Sequence, residues 1–160
     1  MTGAPKGSPL RLGIAGLGTV GGGVIRMVEE NADLLTARCG RSVQVTAVSA
    51  RDRSRDRGLD LSAFAWHDDP VDLARSDEID VFVELIGGDE GPARDAVEAA
   101  IAAGKDVVTA NKALIAHHGT ALARAAEDAG VALNFEAAVA GGIPIVKAMR
   151  EGLAGNRYAR

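Results

Sequence analysis

Gly16-Leu17-Gly18-Thr19-Val20-Gly21 is a G-x-G-x-x-G run set between a short apolar stretch and a segment with helical spacing. In that setting each glycine has its own use. Gly16 makes a tight turn, Gly18 lets the backbone approach a pyrophosphate, and Gly21 lets a helix pack closely on a strand. Phosphate oxygens would then face the unpaired N–H groups and the positive dipole end of the helix that follows. The implied chemistry is dinucleotide binding. A glycine-rich turn without a ligand is the plainer alternative, and the order strand, motif, helix weighs against it.

The choice between the two nicotinamide dinucleotides is read where the second strand ends. That strand closes Val48-Ser49-Ala50, and the first charged side chain after it is Arg51, whose guanidinium suits a 2′-phosphate. NADP is therefore favoured, with NAD use also allowed. Arg51 lies further from Gly16 than the usual spacing of roughly 20 residues, because the intervening helix and its exit are long. Asp52 offers an alternative, as an acceptor for a ribose hydroxyl, and the arginine-rich stretch Arg51 to Arg57 can also be read as a solvated loop. A second chemical group is Lys112. Asn111 can cap the helix that follows it, placing Lys112 in the first turn, where the helix dipole disfavours a cation. An amine in that position suits proton transfer or substrate orientation; an exposed lysine reaching solvent is the alternative.

These groups need a scaffold, and the pattern supplies one. Leu10 to Ala15 reads as a buried parallel strand, and Val20 to about Leu35 as one helix with Val20, Val24, Met27, Val28, Leu34 and Leu35 on its apolar side. Val43 to Ser49 is a second strand, and Leu61 to Trp66 holds a short edge strand. Asp69-Pro70 starts a helix running to about Arg75. The expected strand Val81 to Ile86 is followed by a helix from Pro92 to Ala103 that stops at Gly104. Then come a strand at Asp106 to Thr109, a helix at Ala113 to Ala129, a strand at Val131 to Glu136 and a helix at Pro144 to Leu153. Such alternation implies an α/β fold: a doubly wound, mostly parallel sheet of Rossmann type with helices on both faces. Residues 1–9 read as a flexible N-terminal tail and 10–160 as a dinucleotide-binding domain.

The chain has 160 residues, of which 47% are hydrophobic, enough for one domain with a sizeable core. A net charge of −4 gives no footprint for nucleic acid or an anionic membrane. The N-terminal stretch lacks the apolar core of a signal peptide, and no apolar run is long enough for a membrane span. The single cysteine, Cys39, fits a reducing compartment and leads to an expectation of a cytoplasmic location. Cys39 reads as an incidental thiol. His117 and His118 are adjacent and so point to different sides of a helix; they read as surface residues and not as metal ligands.

Four segments in order resemble homoserine dehydrogenase: Gly16 to Gly21, Glu84-Leu85-Ile86-Gly87-Gly88, Thr109-Ala110-Asn111-Lys112-Ala113-Leu114, and Phe135 to Ile145 with its Gly141-Gly142-Ile143-Pro144 core. The likeness runs from about Leu10 to Arg157. It implies NAD(P)-dependent interconversion of L-homoserine and L-aspartate 4-semialdehyde, on the route to threonine, methionine and isoleucine. It also implies that Lys112 lies beside nicotinamide and substrate as the catalytic candidate. Leu17, Thr19 and Val20 would meet the cofactor through the phosphate turn alongside Gly16, Gly18 and Gly21, with Ala50, Arg51 and Thr109 as further candidates. A structural sodium ion is implied at main-chain carbonyls of Glu136, Val139, Gly141 and Ile143. The resemblance further implies a following substrate-binding and dimerising domain, and a homodimer or higher homo-oligomer for the complete enzyme. The acidic substrate ligands and a second lysine of that domain have no counterpart in these residues, so the 160-residue chain alone is expected to be inactive. The alternative is a non-catalytic NADP-binding module acting with a separate chain.

Overall fold

The computed structural model describes residues 7–141 and 143–157; most of the expected tail (residues 1–6), Gly142 and residues 158–160 lie outside the described residues. The chain runs β1 (Leu10–Ala15), α1 (Thr19–Glu30), α2 (Ala32–Cys39), β2 (Val43–Ser49), β3 (Ala65–His67), α3 (Pro70–Arg75) and β4 (Val81–Glu84). It continues α4 (Pro92–Ala102), β5 (Asp106–Thr109), α5 (Lys112–Ala129), β6 (Leu133–Asn134), α6 (Glu136–Ala140) and α7 (Ile145–Lys147), with a π-helical turn at Ala148–Gly152. The six strands form one sheet in the order β3-β2-β1-β4-β5-β6, every described pairing parallel. This is the doubly wound fold expected from the alternation of elements.

Period-two alternation divides the core. Ile14, Val48, Val81 and Val83 point to one face of the sheet and pack with Ile25 of α1. Ala15, Ala47, Phe82 and Val107 point to the other, against Leu73 of α3, Val97 and Ala100 of α4, and Leu114 of α5. Phe82 is the largest fully buried side chain, so small aliphatic residues must fill nearly all the remaining space. Among the described residues no helix is long and apolar enough to cross a membrane.

Where the elements depart from the sequence pattern, a named contact accounts for the difference. The single helix expected from Val20 to Leu35 is broken at Asn31, whose main-chain N–H and side-chain amide both donate to the Met27 carbonyl. Its buried side is Gly21, Gly22, Ile25 and Val28, whereas Val20, Met27 and Leu34 are exposed. The edge strand forms at Ala65–His67, later than expected, where it pairs with Ala47 to Ser49. β4 ends at Glu84 instead of Ile86 because the Glu84 carboxylate takes the N–H groups of Ile86 and Gly87 and turns the chain. β6 is two residues long, and Glu136 starts a helix instead of ending the strand. The last expected helix is α-helical only over Ile145–Lys147; beyond it the Leu153 N–H reaches the Ala148 carbonyl in a wider turn.

Candidate functional site

The sheet reverses its strand order between β1 and β4, so the chain leaves these neighbours in opposite directions and opens a crevice at their C-terminal ends. A cleft of about 710 Å³ occupies it, walled by Gly16 to Gly18, Ser49 to Asp52, and Leu85 to Gly88. Arg55 and Arg57 close one side, and Asp68, Pro70, Glu90 and Pro92 complete the rim.

The glycine turn divides its labour as the motif suggests. Gly16 has a φ of 101°, and a Cβ there would collide with the Leu85 carbonyl oxygen. A Cβ on Gly21 would collide with the Gly16 carbonyl oxygen, so both glycines are required by the fold itself. Gly18 differs: its φ is ordinary and, its own local backbone aside, no protein atom lies within 4 Å of where a Cβ would sit. It caps α1, whose first turn has no side-chain cap and no acidic residue. Uncapped N–H groups beside an open glycine fit the pyrophosphate of a dinucleotide.

The other candidates fall in several places. Ala50 and Arg51 line the cleft. Leu17 is only 5% exposed and belongs to the core, so its main chain alone faces the turn. Thr19 and Val20 begin α1 as exposed residues outside the cleft lining. Thr109, expected at the cofactor, has a fully buried side chain whose hydroxyl donates to Glu84; its side chain braces the wall from behind. Asp52 turns Oδ1 into its own loop, accepting from the Ser54 N–H at 2.9 Å and the Ser54 hydroxyl at 2.7 Å. The Ser54 bonds hold the Asp52 carboxyl below the ordinary carboxylate range.

Glu84 is the residue that the sequence pattern marked only as part of a strand end. It is completely buried, and Oε1 accepts from Ile86 N–H at 2.7 Å and Gly87 N–H at 3.0 Å while Oε2 accepts from Thr109. Thr109 in turn accepts from the Asn111 N–H at 3.0 Å. Asn111 caps α5 through its Oδ1, 3.1 Å from the Leu114 N–H, and donates its side-chain amide to the Gly88 carbonyl. One buried network therefore fixes the Leu85–Gly88 loop of the cleft wall and the start of α5. Lys112 is exposed at the first position of that helix and does not itself line the cleft. Its link to the rim is Asn111.

His117 and His118 meet different carboxylates of one loop: His117 Nδ1 pairs with Asp89, and His118 Nε2 lies 3.0 Å from Glu90. The His117 contact holds the Asp89 carboxyl below its ordinary range. Among the described residues no cluster of His, Cys, Asp and Glu could hold a metal ion.

The suggested cation ligands lie beyond β6. Glu136 and Val139 belong to α6, Gly141 is its left-handed cap with φ 60°, and Ile143 is 66% exposed. Glu136 Oε1 accepts from the N–H groups of Val146 at 3.1 Å and Lys147 at 3.4 Å, and the Ile143 carbonyl accepts from Ile145 at 2.8 Å. A five-residue helix leaves its last carbonyls without intrahelical donors, Val139 among them. Neutral carbonyl oxygens of this kind suit an alkali cation.

Comparison with known proteins points to one family. The model of the NAD-binding domain of homoserine dehydrogenase matches residues 16–136. The homoserine dehydrogenase of Pseudomonas aeruginosa is 50% identical over 149 residues, covering 93% of this chain and 34% of that protein. That of Corynebacterium glutamicum is 44% identical over 155 residues. Among solved structures, a homoserine dehydrogenase from Thiobacillus denitrificans superposes with a TM-score of 0.86 at 48% identity, covering 95% of this chain and 35% of that one. The chain thus spans about a third of the length of the curated relatives it matches. By the extent of these matches the chain belongs to the homoserine dehydrogenase family, as its NAD-binding domain.

Proposed function

We propose that this chain is the cofactor-holding part of an enzyme that interconverts L-homoserine and L-aspartate 4-semialdehyde by hydride transfer. NADP is the favoured cofactor and NAD a weaker one. The observation that carries this reading is the open Gly18 at the uncapped start of α1, facing a cleft that also holds Arg51 and Arg55. Main-chain N–H groups of Leu17 to Val20 would hold the pyrophosphate, with Gly16 and Gly21 shaping the turn. Ala50 would lie against the adenosine, and Arg51 would meet the 2′-phosphate. When bound, the nicotinamide supplies the carbon that takes and returns hydride. Lys112, on a helix start tied to the cleft rim through Asn111 and Gly88, would orient the substrate oxygen or hold its proton. Thr109, fully buried behind the wall, would support the cofactor site through Glu84 and Asn111.

The remaining two thirds of the relatives' length is where substrate acids and a second lysine are expected. Hydride transfer requires both reactants in near contact, so residues 1–160 alone should bind without turnover. In the complete enzyme we infer a homodimer or higher homo-oligomer, a cytoplasmic setting, and a sodium ion on the carbonyls of Glu136, Val139, Gly141 and Ile143. Residues 10–160 would act as one cofactor domain, with the substrate domain following.

Calorimetric titration of the chain with NADPH and then NADH, with a homoserine turnover assay on the same sample, tests the reading. Tighter NADPH binding without turnover is expected. Turnover by these residues alone would move the proton-transfer groups into the described cleft, and the absence of binding by either dinucleotide would remove the reading.

A further inference from the structure

The loop between β2 and β3 carries four arginines, and three of them, Arg51, Arg53 and Arg55, are exposed. Arg57 is half-buried and donates from each of its three guanidinium nitrogens to a main-chain carbonyl. Nε donates to Leu17 at 3.2 Å, Nη1 to Arg55 at 2.8 Å, and Nη2 to Asp52. Its Cζ lies over the Trp66 ring, 5.9 Å from the centroid, and Arg53 approaches the same ring at 5.7 Å. The loop is wound around one planar cation whose third bond reaches across to the glycine turn.

Three of the five N–H donors of Arg57 are thus committed to main chain, one from each nitrogen. Arg51 and Arg55 line the cleft beside it, and among the described residues neither donates a side-chain hydrogen bond. We infer that Arg57 is a positioning residue: it locks the Arg51–Arg57 loop to the carbonyl of Leu17, so that Arg51 and Arg55 are held at the cleft edge for a 2′-phosphate. The inference rests on the NADP reading above and deepens it by placing the selectivity in a residue that does not touch the phosphate. The geometry demands arginine. Lysine keeps the charge but lacks the planar fork that can satisfy three carbonyls in these directions.

The test compares the unmodified chain with Arg57→Lys and Arg57→Gln in two assays. Limited trypsin digestion without ligand, with cleavage sites mapped by mass spectrometry, reports the loop alone. Calorimetry with NADPH and NADH reports selectivity. Both variants should be cut after Arg51, Arg53 or Arg55 about tenfold faster while cleavage after Lys105 and Arg124 is unchanged, the scale expected for losing hydrogen bonds from a charged group. NADPH affinity should fall about tenfold and NADH affinity less than about threefold, again on the scale of one or two such bonds. Wild-type loop cleavage in Arg57→Lys would overturn the locking role. NADPH affinity kept by Arg57→Lys and lost by Arg57→Gln would replace positioning with simple charge. Equal affinity of the unmodified chain for both dinucleotides would refute the selectivity claim together with the NADP reading, and the trypsin result would still decide whether Arg57 holds the loop.

Discussion

Removing the charge from Glu84 while keeping its shape should unfasten the wall of the cleft. In Glu84→Gln the amide oxygen can keep the Ile86 and Gly87 N–H groups now held by Oε1. The amide nitrogen must then face the Thr109 hydroxyl, which donates to Glu84 and already accepts from the Asn111 N–H. Two charge-assisted bonds weaken by about 1 kcal/mol each, and either the amide N–H or the Thr109 hydroxyl is left without an acceptor in a fully buried site, for about another 1–2 kcal/mol. The expected loss is about 3–4 kcal/mol, which moves a urea midpoint by about 1.5–2 M at an m-value near 2 kcal/mol/M. Thr109→Val removes the same hydroxyl and should cost about 2 kcal/mol. Because the two side chains share one bond, the double variant should be less damaged than the sum by about 1–2 kcal/mol. Equilibrium urea unfolding of the three variants followed by far-ultraviolet circular dichroism measures this. Additive costs, or a Glu84→Gln loss below about 0.5 kcal/mol, would mean that the carboxylate does not organise the loops.

The two glycines of the turn should fail in opposite ways. Gly21→Ala drives a Cβ into the Gly16 carbonyl and should lower thermal stability clearly, whereas Gly18→Val should leave the melting temperature within a degree or two while abolishing dinucleotide binding; normal binding by the latter would place the phosphates elsewhere. Arg51→Ala should weaken NADPH more than NADH, and equal losses in titration would release Arg51 from the 2′-phosphate. Lys112→Ala, made in a longer protein that turns over homoserine, should reduce kcat with little change in cofactor affinity, and an unchanged rate would leave Lys112 a surface residue. Asp80 takes two bonds from the Arg11 guanidinium and one from its N–H, and the Arg11 side chain holds its carboxyl below the ordinary range. A lowered carboxyl contributes stability that is complete well above about pH 3.9 and lost as pH falls through the lowered value. Asp80→Asn should thus cost stability near neutrality and much less in strong acid, and parallel acid unfolding curves would show that the pair contributes nothing.

Local signals in the chain reached those parts of the fold whose causes are local. The strands at Leu10–Ala15, Val43–Ser49 and Asp106–Thr109 and the helix opened by Asp69 and Pro70 were legible because an apolar run, a cap and a proline act within a few residues. The inward face of α1 was hidden because glycines mark it as strongly as any apolar residue. The ends of β4 and β6 depended on carboxylates, Glu84 and Glu136, that bind main chain two to eleven residues away. At the site, the glycine turn was readable from its spacing together with its place between a strand and a helix. The bracing of Thr109 by Glu84 was not, since 25 residues separate the partners, nor was the reach of Arg57 to Leu17 across 40 residues. The paired contacts of His117 and His118 were equally hidden, because helical geometry separates neighbours whereas an acidic loop can follow both.

The chain contains one tryptophan, and the fold sets it on β3 directly under the guanidinium groups that shape the arginine loop. Its indole N–H donates at 2.8 Å to Asp68, itself part of the cleft rim. Indole emission responds to nearby charge and hydration, and it overlaps the absorption of a reduced nicotinamide. Trp66 is therefore a built-in optical reporter: loop loosening would register as a change in its emission, and entry of a reduced dinucleotide as quenching by energy transfer, with no label attached.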